Sequence, residues 1–170
     1  MTYRVLFIIF FCTGLIPQLV FSQKNGKPKD CYRTTLSDKS KVFTRMQTNP
    51  NFKGGSDALL NYLMANINYQ KLVNDLQQNQ RVCNDTARVK FIIGREGIMS
   101  DLSVTMTKRH IFASEIFRVI KKSACHWNPA DFGRYVNGWL QIDIYYSIDR
   151  RYNEVTFKVK VKDYDHITDN

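Results

Sequence analysis

A chain of 170 residues, 44% hydrophobic and 13% aromatic, suits one domain with a filled core plus short extensions. Its formal charge of +10 suits anionic partners such as nucleic acid, acidic lipid or acidic polymer, although many secreted proteins are simply basic. It has no zinc-ligand spacing, phosphate loop, G-x-S-x-G or H-E-x-x-H, and its His residues are scattered, so the residue chemistry points to no enzyme and no cofactor; nucleic acid is an anionic class that the charge allows but is not the expected partner.

Met1 to Ser22 carries a single charge, Arg4, then an uncharged run from Val5 to Ile16, then Pro17 and Val20-Phe21-Ser22. A basic tip, an apolar centre and a breaker are the parts of a signal peptide, with cleavage expected after Ser22. The rival reading is a retained anchor, since Val5–Ser22 sits at the short limit for crossing a membrane, with Pro17 and Gln18 inside it. Lys24 to Lys53 is basic and broken by Gly26, Pro28 and Pro50. Residues 23–51 read as a solvated linker, or more sharply as an electrostatic tether to an anionic envelope surface. Within it, Val42-Phe43 with Met46 is apolar enough to dock on the domain.

The domain is expected over 52–163, with a loose tail at 164–170. Gly54-Gly55-Ser56-Asp57 opens a helix over Asp57–Asn66, with Leu59, Leu60, Leu63 and Ile67 at helical spacing. Leu72, Val73 and Leu76 suggest a second short helix. Cys83-Asn84-Asp85-Thr86 leads onward, and Asn84-Asp85-Thr86 fits a glycosylation acceptor that matters only in a eukaryotic secretory pathway. From Arg88, Val89, Phe91 and Ile93 share one parity; Ile98, Leu102, Val104 and Met106 share another, with Gly94-Arg95-Glu96-Gly97 between them. A period of two on both sides of a glycine-rich turn predicts a β-hairpin with one apolar face.

Phe112, Ile116, Val119 and Ile120 mark one face of a helix that should cover the hairpin and stop before Trp127, because Pro129 biases its neighbour away from helix. Leu140, Ile142, Ile144, Tyr146 and Ile148 predict a third strand. Val155, Phe157, Val159 and Val161 predict a fourth, with Lys158, Lys160 and Lys162 on its wet face. The fold class is α+β, an antiparallel sheet covered by helix. Following the chain direction gives a strand order 2-1-3, with the fourth strand outside the third.

Phe52-Lys53-Gly54-Gly55-Ser56-Asp57-Ala58-Leu59-Leu60-Asn61-Tyr62-Leu63, then Asn66-Ile67-Asn68-Tyr69, resembles the start of the TonB C-terminal domain, which often reads F-x-G-G-x-x-A-L-x-x-Y-L and then N-I-x-Y-P. Val89-Lys90-Phe91-Ile92-Ile93, Gly97, Val104, Glu115, Arg118-Val119-Ile120-Lys121, Trp127-Asn128-Pro129 and Gly133 continue the resemblance. It covers roughly Phe52 to Ile148, and its motif residues include Gly54, Gly55, Tyr69, Trp127 and Pro129. Gln70 stands where the family has proline.

The resemblance implies an exported, periplasmic protein-binding module, not an enzyme, linked to TonB-dependent transport. It would hold an envelope protein or an outer-membrane receptor peptide as a strand added to the sheet edge. The receiving edge would be the third strand, with Trp139, Gln141, Asp143 and Tyr145 lining its exposed face, or with Trp139 and Tyr145 packed under a loop. A fourth strand paired there would mask that edge. The alternatives are an anchored energy transducer that retains residues 1–22, and a small secreted enzyme or inhibitor using His110, His126, Asp131 or Glu115. Export permits oxidation, and Cys83–Cys125 is the expected disulfide, because both lie inside the domain while Cys31 lies in the linker. Cys31 would then be free, or would bridge two chains in a homodimer.

Overall fold

The computed structural model describes residues 30–36, 41–76, 81–152 and 154–161. The expected signal peptide and the tail at 164–170 lie outside the described residues. Two short strands come first, β1 (Val42–Phe43) and β2 (Asn51–Phe52). Helix α1 (Gly55–Asn66) starts through Gly54, whose φ of 90° is left-handed and whose added Cβ would meet Ala58 Cβ at 2.8 Å. The expected apolar stripe buries Leu59 and Leu63. Helix α2 (Tyr69–Asn74) is capped by the Asn68 side chain, which accepts the Lys71 N–H at 3.1 Å.

The hairpin forms from β3 (Val82–Ile93) and β4 (Met99–Thr105). The turn closes with the Gly94 N–H on the Ile98 carbonyl and the Gly97 N–H on the Gly94 carbonyl, both at 2.8 Å, with Gly97 at φ 78°. Two expectations are corrected here. β3 begins at Val82, so Cys83 to Thr86 belongs to the strand. Asp85, a polar residue at a core-parity position, hid this; its carboxylate accepts the Thr107 hydroxyl at 2.7 Å and the Lys108 N–H at 3.1 Å. In β4 the register shifts opposite Lys90/Ile92, with Asp101 at φ 52°. This bulge flips the parity. Met99 faces the core opposite Ile93, Val104 pairs with Val89, and Met106 is 59% exposed instead of lying on the apolar face.

Helix α3 (His110–Lys122) lies over β4 and β3, burying Phe112, Ile116, Val119 and Ile120. Full burial of such side chains contributes about 1.5–3 kcal/mol each. A short 3-10 turn, Ala124–His126, leads to β5 (Trp127–Asn128) and β6 (Ala130–Asp131). Trp127 is a core residue: its Nε1–H donates to Ser123 Oγ at 3.0 Å, and its ring meets Phe91 and Phe52 edge-on at 4.9 and 5.2 Å.

The long strand β7 (Tyr135–Asp149) organises the sheet. One side pairs antiparallel with β3 from Ile93↔Gly138 to Val82↔Asp149. The other side takes β1 in parallel at Asn137 and Gly138, then β8 (Glu154–Val161) antiparallel from Ile142↔Val161 to Asp149↔Glu154. β6 forms a short hairpin with the start of β7, and β2 pairs with β5 in a separate two-stranded sheet. The architecture is mixed α+β.

The basic segment is not a solvated linker where it is described. Cys31 is disulfide-bonded to Cys125, with Cα atoms 5.1 Å apart, and Cys83 is free and buried. The expected Cys83–Cys125 pair is therefore corrected. Cys31 reaches Cys125 because residues 31–34 run beside β4: the Met99 N–H donates to the Cys31 carbonyl at 2.8 Å and the Arg33 N–H to the Met99 carbonyl at 2.9 Å. Val42-Phe43 docks as β1. The structural unit thus begins before the expected boundary at Phe52.

Candidate functional site

The alternation of β7 puts Trp139, Gln141, Asp143 and Tyr145 on the face opposite the core residues Ile142, Ile144 and Tyr146. That face is not exposed throughout. Tyr145 is 39% exposed, Trp139 is half-buried, and Gln141 is buried with its Nε2 lacking a hydrogen-bond partner among the described residues. Asp143 accepts both arms of the Arg88 guanidinium, from Nε at 2.8 Å and Nη2 at 2.9 Å, across the β3–β7 pair. A bidentate pair of this kind fixes register.

The main chain of β7 also differs from an open edge. Asp143 is paired with Lys160 and Tyr145 with Lys158 of β8. Phe157 and Val159 pack against the core and hold β8 in place. The outermost strand on this side, among the described residues, is β8. It shows Thr156, Lys158 and Lys160 to solvent, in rows with Ser147, Tyr145 and Asp143. Beside them lies a cleft of about 570 Å³ lined by Tyr145, Lys158, Thr86, Met106 and Lys108.

The other motif residues lie in differing surroundings. Gly54 and Gly55 adopt left-handed φ, Trp127 is core, Pro129 is half-buried and Tyr69 is exposed. The residues considered for chemistry sit in different surroundings. His126 stacks on Phe52 at 5.8 Å, His110 is exposed at the start of α3, and Asp131 lies in β6. Buried Glu115 accepts the Arg118 Nε–H at 3.1 Å and the Asn68 N–H at 2.7 Å. The Arg118 bonds hold its carboxyl below the usual carboxylate range against the opposing effect of burial. No group of His, Cys, Asp and Glu suited to a metal ion is found among the described residues.

Sequence reading missed a polar cluster in which Cys83 and Tyr146 are buried and Arg109 and Asp75 partly buried. Cys83 Sγ accepts the Arg109 Nε–H at 3.1 Å and lies 3.8 Å from the Tyr146 hydroxyl, while Arg109 also bonds the Asp75 carboxylate at 3.2 Å. Burial pushes the Tyr146 phenol well above its usual range, reinforced by its contact with Cys83. These residues come from four separate stretches, so no local spacing signals the cluster. No family model, curated protein or solved structure matches the chain.

Proposed function

We propose that this chain is an exported, TonB-like protein-binding module, without enzymatic activity, that takes an extended segment of an envelope protein as an added β-strand. By the resemblance, that segment belongs to a receptor of TonB-dependent transport at the outer membrane, and the module works in the periplasm. The observation that carries the reading is the β7–β8 pairing, which makes β8 the outermost strand on that side of the sheet among the described residues. An edge strand offers alternate N–H and C=O groups to an extended peptide. Lys158 and Lys160 are exposed there, so the preferred peptide is acidic. Addition to β8 is favoured over its displacement, because displacement would strip Phe157 and Val159 from the core. The Cys31–Cys125 disulfide supports export, since such bonds persist in oxidising compartments.

The test compares extended peptides of matched length on the purified mature protein. An acidic peptide should bind, and the same peptide N-methylated at alternate residues should lose binding by about tenfold or more, as expected for main-chain recognition. The double substitution Lys158→Glu, Lys160→Glu should reverse the charge preference. Equal binding of methylated and unmethylated peptides defeats strand addition. Sequencing of the mature N-terminus checks export: a start at Gln23 supports it, and a start at Met1 in the membrane fraction favours an anchored transducer.

A further inference from the structure

Where β1 meets β7, Lys41, Arg95 and Arg134 line an open cleft of about 370 Å³ together with Phe43 and Tyr135. Three distant stretches deliver the cations: the residue before β1, the β3–β4 turn, and the loop between β6 and β7. The turn is held in place from below. Asn137 is 2% exposed, and its Oδ1 accepts the Arg95 N–H at 2.9 Å. The aromatic Tyr135 in the lining is 63% exposed, and Phe132, just outside the lining, is 53% exposed. Phe132 stacks on Phe43 with centroids 6.1 Å apart, and the Lys41 ammonium stands 5.2 Å from the Phe43 centroid.

Among the described residues, no carboxylate lines this cleft. Glu96, next to Arg95, places its carboxylate 3.7 Å from the Arg33 guanidinium. Large exposed aromatics grouped beside cations mark a recognition surface more often than a bare solvent face. Guanidinium and ammonium groups bind carboxylate and phosphate. A flat exposed ring beside them suits the C–H face of a sugar ring. Cations and aromatics together also suit single-stranded nucleic acid, but that partner does not fit the oxidising, exported compartment proposed above.

We propose that this cleft binds an anionic sugar, a carboxylated or phosphorylated hexose unit of an envelope glycan, with Arg134 and Lys41 on the charged group and Tyr135 against the ring. The choice of a glycan over single-stranded nucleic acid rests on the export reading above, and the oligothymidylate titration tests it separately. The site lies at the β1 end of β7, whereas the peptide edge lies along β8, so one molecule can hold glycan and protein together.

The test titrates the mature protein by calorimetry with trigalacturonate, glucose 6-phosphate, neutral cellotriose, inorganic phosphate and oligothymidylate. At least one charged sugar should bind about tenfold more tightly than cellotriose and than inorganic phosphate, and Arg134→Ala and Tyr135→Ala should each weaken it by about fivefold or more. Both side chains are exposed, so an unchanged far-ultraviolet spectrum confirms the fold of each variant. The charged sugar that binds identifies the source as uronate or phosphosugar. Failure of both charged sugars overturns the proposal. So does equal binding of inorganic phosphate with Tyr135→Ala silent, or tighter binding of oligothymidylate. Peptide binding at β8 in the Tyr135→Ala protein reports separately, so the two readings stand or fall independently.

Discussion

Gly138 shows how tightly the basic segment is fitted to the sheet. A Cβ added there would stand 2.7 Å from Met46 Sδ, 2.8 Å from Ala130 Cβ and 2.9 Å from Pro50 Cγ. Met46 can swing aside, but Ala130 and Pro50 are fixed by backbone. Gly138→Ala should therefore destabilise by about 1–3 kcal/mol, read from the urea midpoint at constant m; an unchanged midpoint would mean the segment yields freely. Glu115 gives the second prediction at this scale. Its carboxylate ties α3 to the start of α2 through the Asn68 N–H and binds Arg118. Because its folded pKa is lowered, its stabilisation is complete above the unfolded carboxylate value of about 4.3 and is lost as pH falls through the folded value. Glu115→Gln should cost about 1 kcal/mol at pH 7, at the low end for a charged bond because the Arg118 side chain is 48% exposed and screened. The difference from the parent should shrink toward pH 3. A constant difference across that range would contradict the linkage.

At the scale of elements, the disulfide closes a loop with a sequence separation of 94. In the chain-entropy picture a loop of that size stabilises by about 4–5 kcal/mol. Cys31→Ser should lower the melting temperature by roughly 10–20 °C for a domain of this size, and reductant should do the same to the parent while leaving the variant unaffected. A parent insensitive to reductant would show the bond absent in solution. The elements that were legible in the sequence are those whose periodicity is uninterrupted. Leu59 and Leu63 marked α1, Phe112 to Ile120 marked α3, and the alternation from Leu140 to Ile148 marked β7. The start of β3 was not legible, because Asp85 breaks the apolar parity and its partners, Thr107 and Lys108, are distant in sequence. Met106 was misplaced because a bulge at Asp101 leaves no compositional trace. Cys31 looked remote because its approach to Cys125 depends on backbone bonds to Met99, which no side-chain pattern announces. The nominated face of β7 was read from alternation alone. Alternation says which face a residue is on, not what lies over it, so Gln141 proved buried and Asp143 paired.

At the scale of the whole molecule, the two long edges of the sheet are treated differently. The β4 edge is partly covered by residues 31–34, whereas on the other side β8 pairs with β7 and, among the described residues, is itself outermost. Lysines on an outer strand discourage pairing with another copy of the same chain by charge and desolvation, yet leave the edge able to accept an acidic strand. This asymmetry is the basis of the proposed binding at β8. Amide hydrogen exchange followed by NMR on the intact mature protein measures it most directly, with and without a saturating acidic extended peptide. The account predicts that alternate amides of β8 gain protection while the β7 amides paired to β8 keep theirs. Unchanged β8 amides, or loss of protection along the β7–β8 ladder, would contradict it.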